Sequence, residues 1–498
     1  MSPPDAPQPK RLIEVAFPLR EVSAAAVREK AGPPGAISRL HLWWARRPQT
    51  ACRAAIFEAL VPDPDDEICP PTFRSLVEEL VPPAYDSYDR EGPHPPLRRR
   101  LLGFIADLCK WENSNNQRLL DIARRLIREA NGGTPPRVLD PFAGGGSIPL
   151  EALRLGCEAH ASELNPVAVL ILKCTVEYPH KYGQPDSRPV PDYIHEMDRR
   201  EDETNGQQRL TDSAGPWAAA YRRNPLATDV RYWGQWVRER AREELAPYYP
   251  ADPGGKTPIA YLWARTVKCP SPACGAEMPL IRQYWLARKD KKLLALEPVV
   301  DRPAKTVHFR VVEGADIKGD PAEATTERGD TRCIPCGNVA SAAYIKDEGR
   351  MGRLGAKITA VVLDGGRRRE YRPASDGDAL VYDSALKALG QKVELALDGL
   401  SAVPQEPLAT DNSRYLTPGT YGFDAWHKLF NDRQLLALTT FVGVVREAHT
   451  AMLSQGKETN YARAGLPWTL SGRNGAGGAC LRLTIVVSSS GASAMKSR

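Results

Sequence analysis

Residues 137–147 read Arg-Val-Leu-Asp-Pro-Phe-Ala-Gly-Gly-Gly-Ser, and no other stretch restricts the fold as tightly. The apolar run Arg137–Asp140 ends on an acid and a proline, passes into three glycines and opens onto a helical pattern, Ser147–Leu155. Gly156 closes that helix, and a second strand-like run, Glu158–Glu163, leads to Asn165-Pro166. Strand, turn, helix and strand in this order predict a parallel, right-handed unit and an α/β fold. Glycines at such a turn let the backbone approach a ligand, and the helix start offers free N–H donors.

Three ligands compete for this turn. A phosphate-binding P-loop needs a lysine after the glycines, and none follows. A dinucleotide fingerprint needs a third spaced glycine where Pro149 stands. S-adenosylmethionine carries no phosphate and calls instead for a carboxylate near its cationic end and a second acid for the ribose. Asp140 and Glu163 answer to these roles, with Glu163 23 residues after Asp140, close to the ~20 usual for a ribose-binding acid.

Around this unit the 498 residues divide into segments. Helices are predicted at Val22–Lys30, Ala51–Leu60, Thr72–Leu80 and through Leu97–Ala130. The polar stretch 180–210 reads as a flexible insertion, and Asp229–Leu245 as a helix. A strand at Ile358–Leu363, a basic turn at Gly365–Arg369, and helices at Ser384–Leu397 and Arg433–Met452 complete the reading. The expected organisation is a helical region at 10–130, a cofactor-binding unit with helical extension at 131–250, a cysteine-bearing insertion at 257–350, a mixed region at 351–463 and a tail at 464–498. No run approaches the ~20 apolar residues of a membrane helix, and the proline-rich start lacks a signal-peptide core, so a cytoplasmic protein is expected. Lys and Arg number 67 against 61 Asp and Glu, a net charge of +6 that permits nucleic-acid binding without requiring it.

Of ten cysteines, six (Cys52, Cys69, Cys109, Cys157, Cys174, Cys480) are scattered and read as small core residues. The other four form two tight pairs, Cys269-x4-Cys274 and Cys333-x2-Cys336, with Gly275 and Gly337 directly after each pair. Four thiolates on two glycine-ended knuckles suit a closed tetrahedral Zn²⁺ site of structural type. The stretch 275–332 exceeds ordinary ribbon spacing and predicts an insertion between the knuckles. Arg282, Arg288, Lys289, Lys291 and Lys292 follow the first knuckle, either as phosphate contacts or as a solvated charged face.

Four segments, in order, resemble one family, the prokaryotic zinc-ribbon-containing adenine-specific DNA methylases. They are KRLIEVAFPLREVS…HLWWARRP, DPFAGGGSIPLEALRLG…SELNP, VKCPSPACGAEMPL and YGFDAWHKLFNDRQLLAL. The resemblance, spanning roughly Lys10 to Tyr461, implies a Rossmann-like methyltransferase domain that transfers methyl groups from S-adenosylmethionine to adenine N6 in DNA. It implies cofactor contacts from Asp140, Pro141, Phe142, Gly144, Gly146, Glu163 and Asn165. A closing element adds Trp44, Arg47 and Pro48. Structural zinc on Cys269, Cys274, Cys333 and Cys336 supports contact with DNA.

The family's catalytic loop, (Asp/Asn/Ser)-Pro-Pro-aromatic, is absent from the sequence. Two Pro-Pro pairs lie near the start (Pro3-Pro4 and Pro33-Pro34), and the other four are preceded by Cys69, Val81, His94 and Thr134 and followed by Thr72, Ala84, Leu97 and Arg137; none fits. In the family this loop lies beyond the YGFDAW segment. After Arg463 the sequence turns Gly- and Ser-rich and loses helical periodicity, which predicts a frameshift or premature stop, an incomplete sheet and little or no transfer activity. An RNA methyltransferase and a non-catalytic zinc-ribbon nucleic-acid-binding protein are the alternative readings.

Overall fold

The computed structural model describes residues 8–33, 47–88, 94–205, 215–289, 292–366, 368–394, 401–403, 405–408 and 417–465. These fall into two compact units, one running to Gln235 and resuming at Ala448, the other Trp236–Glu447. The five segments expected from the sequence thus regroup, and the tail 466–498 lies outside the described residues.

The first unit opens with helices α1 (Leu19–Lys30), α2 (Gln49–Leu60), α3 (Pro71–Leu80), α4 (Pro96–Leu108) and α5 (Gln117–Ala130). Prolines stand at or just before the start of four of them (Pro18, Pro48, Pro70 with Pro71, Pro95 with Pro96), where a fixed φ and a missing N–H cost least. Strand β1 (Arg137–Asp140), helix α6 (Ser147–Arg154) and strand β2 (Glu158–Ala161) follow at the positions the glycine motif predicts. The strands pair in parallel, Arg137 with Glu158 through Asp140 with Ala161. Phe57, Phe73, Phe104 and Leu126 of the helices share one core with Ala152, Leu155 and Cys157 of the βαβ unit. The helical region and the glycine motif therefore share one hydrophobic core.

Through that core runs a buried ion pair. Arg53 of α2 and Glu151 of α6 meet at 2.6 Å with both side chains fully buried. Arg53 also donates to the Leu108 carbonyl (2.9 Å) and the Ser114 hydroxyl (2.8 Å), while Glu151 accepts from Arg154. One step further out, the Glu29 carboxylate of α1 accepts the Gln49 and Thr50 amides (2.9 and 3.1 Å), supplying the negative cap that the proline-led start of α2 lacks.

The expected flexible insertion at 180–210 is corrected by the structure. Within it lies a helix of 14 residues, Asp192–Asn205 (α9), after α7 (Pro166–Leu172) and α8 (Tyr178–Tyr182). Ile194 and Val190 pack on Ala218 and Tyr221 of α10 (Pro216–Arg223), and the buried Asp198 accepts the Trp217 and Ala218 amides. A few apolar contacts and one cap suffice, so hydrophobicity along the sequence signals this helix poorly. Asp229 of α11 (Pro225–Leu245), fully buried, accepts from Tyr193 (2.5 Å), Tyr461 (2.8 Å) and Lys457 (3.0 Å), which fixes the returning chain to this unit.

The second unit is built on antiparallel sheets. The four-stranded one runs β12 (Arg368–Pro373), β11 (Gly355–Gly365), β3 (Pro258–Lys268), β4 (Glu277–Leu280). A three-stranded one joins β5 (Trp285–Lys289), β6 (Lys292–Asp301) and β7 (Thr306–Glu313), and a small one joins β8 (Thr326–Glu327), β9 (Asp330–Arg332) and β10 (Val339–Ala340). Helix α12 is Ala342–Arg350, and α13 spans Asp376–Glu394 where the sequence predicts Ser384–Leu397. Strand β12 went unread because its Arg-rich sequence hides the pattern; Arg372 is satisfied by Asp252 and Asp378. Helices α14 (Asp432–Ser454) and α15 (Thr459–Gly465) close the described chain, and among the described residues no helix is long and apolar enough to cross a membrane.

Replacing Arg53 by Ala leaves the Glu151 carboxylate buried without its partner and is expected to cost about 3–5 kcal/mol. A double change of Arg53→Met with Glu151→Leu is expected to cost clearly less. Urea denaturation followed by tryptophan fluorescence compares the two.

Candidate cofactor pocket and metal centre

The end of β1 carries Asp140, buried, whose Oδ1 accepts the Phe142 amide at 3.1 Å. The parallel ladder continues into the turn: the Ser162 amide donates to the Asp140 carbonyl (2.9 Å) and the Ala143 amide to the Ser162 carbonyl (3.1 Å). Gly144 and Gly146 take φ of 50° and 83°, the left-handed region that excludes most side chains. At Gly146 a Cβ would lie 2.9 Å from Leu172 Cδ2, so close packing of α6 on α7 also requires glycine there.

Glu163 lies just past β2 and grips the turn. Its Oε2 accepts the Gly144 amide (2.8 Å) and its Oε1 the amides of Leu164 (2.8 Å) and Asn165 (3.0 Å). The amides of Asn165 and Gly144, then Leu164, hold its carboxyl below the usual range. A carboxylate offers about four acceptor sites, so roughly one remains on Oε2 for a ligand hydroxyl. Asn165 is engaged as a cap, its Oδ1 accepting the Val167 amide at 2.9 Å.

Arg47, just before α2, abuts this turn. The Ser147 hydroxyl, first residue of α6, donates to the Arg47 carbonyl at 2.7 Å, and Pro48 is the residue that caps α2. Trp44 lies outside the described residues. Cys52, one turn into α2, has its thiol pushed up to about 12 by burial and by the charges of Glu151, Glu29 and Asp140. It stays protonated at neutral pH and has no thiolate chemistry to offer.

Pro141 is exposed, and the apolar rim of the turn is open: Phe142 is 89% exposed, Leu164 97% and Leu139 of β1 68%. Among the described residues β1 pairs with β2 alone. A cleft of about 550 Å³ lined by Thr134, Pro135, Arg137, Gly156, Cys157 and Glu158 lies at the amino ends of the strands. Ligands of parallel α/β sheets bind at the carboxyl ends, which is where Asp140, the glycines and Glu163 converge.

The four paired cysteines meet in the second unit. Cys269 and Cys274 sit in the β3–β4 hairpin, Cys333 and Cys336 in the β9–β10 hairpin, and their sulfurs all lie within 4.8 Å of one another. Cys269 and Cys336 are 3.7 Å apart, Cys274 and Cys333 3.8 Å. A tetrahedron with Zn–S bonds of ~2.3 Å has edges of about 3.8 Å, so the donor set fits Zn²⁺. The knuckles fold alike. Cys269 donates its amide to the Ala276 carbonyl and Cys333 to that of Asn338, while Gly275 and Gly337 turn the chain at φ of 58° and 76°. Burial raises the Cys269 and Cys333 thiols, and the Asn338 amide lowers that of Cys336. The insertion expected between the knuckles is largely the β5–β6–β7 sheet.

Of the scattered cysteines, Cys69, Cys109, Cys157 and Cys174 are buried and Cys52 partly so, whereas Cys480 lies outside the described residues. Sequence reasoning missed the roles of Arg53 and Glu151, for which the only signal was a charge on an otherwise apolar helix face.

A family model described as a protein of unknown function (DUF1156) matches residues 16–79, which include α1, α2 and nearly all of α3. No curated protein and no solved structure matches the chain.

Purified under reducing conditions, the chain is expected to carry about one zinc per polypeptide by mass spectrometry of the metal. Cys269→Ser or Cys333→Ser should abolish that content and lower the melting temperature, since binding the metal also stabilises the hairpins it joins.

Proposed function

We propose that the chain binds S-adenosylmethionine at the carboxyl ends of β1 and β2, as the cofactor-binding part of an adenine-specific DNA methyltransferase with a structural zinc ribbon. The observation that carries this reading is the joint geometry of Asp140, the left-handed glycines and Glu163, with no phosphate-binding lysine beside them. When bound, the cofactor supplies an electrophilic methyl group on a sulfonium.

This chain's residues bind and orient. The Asp140 charge, in a low-dielectric setting at the end of β1, favours the cationic methionine end. Glu163 keeps one acceptor position for the ribose, and the glycines leave room for the backbone to approach. Phe142 offers an exposed ring. Pro141 sets the direction of the turn and Asn165 starts the helix beside it. Arg47 and Pro48, tied to α6 through Ser147, stand at the same end; Trp44 keeps the cofactor contact that the family resemblance implies. Cys269, Cys274, Cys333 and Cys336 hold the zinc that shapes the DNA-facing unit. A cytoplasmic setting suits them, because thiols stay reduced there. No residue here is assigned to activating the adenine amino group, since the sequence holds no Pro-Pro-aromatic loop of the required kind.

Titration calorimetry with S-adenosylmethionine tests the reading. Asp140→Ala and Glu163→Ala are each expected to weaken binding at least about tenfold, a loss of ~1.4 kcal/mol; unchanged affinity in both would refute it. Because the Glu163 carboxyl titrates below the usual range, affinity should hold as the pH falls from 8 to about 5 and drop only at lower pH. A loss already at pH 6 would point to a different group.

A further inference from the structure

Strand β3 is an inner strand of the four-stranded sheet, between β11 and β4. Its alternation puts Tyr261, Trp263 and Arg265 on one face, and each meets a ring or a cation from another element. Arg433, in the first turn of α14, lies 3.7 Å from the centre of the Tyr261 ring and 5.0 Å from that of Tyr249. The rings of Trp263 and of Tyr382 on α13 have centres 4.8 Å apart. The Arg265 guanidinium lies 4.6 Å from the centre of the Phe423 ring.

The two arginines differ in what satisfies them. Arg433 is buried and donates to the Tyr248 carbonyl at 3.4 Å. Arg265 is exposed and, among the described residues, forms no hydrogen bond and no ion pair, although Arg310, Arg353 and Arg372 of the same unit are all matched with acids. Asp432, the acid whose charge reaches Arg265, accepts the Tyr382 hydroxyl at 2.7 Å. A guanidinium carries five N–H donors in a planar fork, and a ring beneath it fixes that plane. The contact with the ring adds little to stability at an exposed site, so the fold alone does not account for an oriented, unmatched fork.

Phe423 belongs to the YGFDAW segment, to which neither the cofactor pocket nor the zinc site gives a task. Its turn is closely fitted. Gly422 takes φ of 80°, a Cβ there would collide with the Gly349 carbonyl at the end of α12, and one on Gly349 would collide with the Tyr421 carbonyl. The Phe423 amide donates to the Pro418 carbonyl at 3.2 Å, and Tyr421 packs into the cluster that contains Cys269 and Cys333. The ring under Arg265 is thus held from the zinc hairpins and from α12 at once.

We propose that Arg265, seated on Phe423 beside the Trp263–Tyr382 pair, binds a backbone phosphate of single-stranded DNA, with the adjoining base against these rings. The inference rests on the nucleic-acid reading above and is independent of the cofactor pocket. The fork matches a phosphate in two-pronged fashion. The three rings are partly exposed, and unstacked bases are open to lie on them, whereas the bases of a duplex are covered by their neighbours. Phe423 is a positioning residue, acting through the plane in which it holds Arg265.

The test is fluorescence anisotropy of the full zinc-loaded chain with a labelled thymidine strand of about 12 nucleotides, and with a duplex of that length, over a range of salt. Arg265→Gln keeps the stem and removes the charge. Its affinity for the single strand is expected to fall about tenfold at about 100 mM salt, and the slope of log affinity against log salt to shrink by about 0.7, the share of one phosphate. Arg265→Lys keeps the charge and loses the fork, so affinity should fall severalfold at an unchanged slope. Phe423→Leu should do the same. Zinc content and melting temperature should stay at the parent values in all three, which separates lost contacts from lost folding. An abasic strand keeps the phosphates and should bind the parent severalfold more weakly; equal binding would overturn the role given to the rings. Parent-like affinity and slope in Arg265→Gln, or a parent that binds the duplex alone, would overturn the site while leaving the nucleic-acid reading intact. A parent that binds neither at low salt would overturn both.

Discussion

The Arg53–Glu151 pair is the constraint around which the first unit is arranged. Two fully buried charges are tolerable only if each is matched and its remaining donors and acceptors are satisfied. Arg53 meets that demand by reaching the end of α4 and Ser114 as well as α6, and Glu151 by also taking Arg154. Four parts of the chain are thereby held in one register. The glycine turn sits at the start of α6, so the position of Gly144 and Gly146 relative to α2 follows from a pair placed deep in the core. The Glu29 cap and the Ser147–Arg47 bond repeat the same link nearer the surface.

The second unit meets its folding problem differently. Apart from β3, its strands around the cysteines are short, and the cluster that packs there, with Val267, Met278, Ala340 and Ile345, is small. A metal ion held by the four clustered cysteines would supply cross-linking that such a core lacks, in the manner of small metal-dependent folds. Elsewhere in this unit the stacking of Arg433 on Tyr261, 3.7 Å from the ring centre, adds a cation–aromatic contact in a buried setting.

Several turns were legible because backbone requirements write themselves into sequence. Gly144, Gly146, Gly275 and Gly337 all take left-handed φ, and each marks a turn read correctly from its neighbours. Strand β1 and the start of α6 fall where the pattern puts them. What stayed hidden was tertiary. Helix α9 is stabilised by Asp198 and a few apolar residues on a charged sequence, and β12 by ion pairs that sequence alone does not reveal. The Arg53–Glu151 pair joins residues 98 apart, a partnership no local pattern contains. Glu163 was found by its distance from Asp140, yet its three amide bonds, which leave little free capacity for a ligand, are a property of the folded turn.

The carboxyl ends of β1 and β2 are the proposed cofactor site. Photo-cross-linking of radiolabelled S-adenosylmethionine to the full chain, followed by peptide mapping, tests it most directly. Label is expected on peptides spanning 137–147 or 158–167, competed away by excess unlabelled cofactor. Label confined to other peptides, or none that competes, would contradict it.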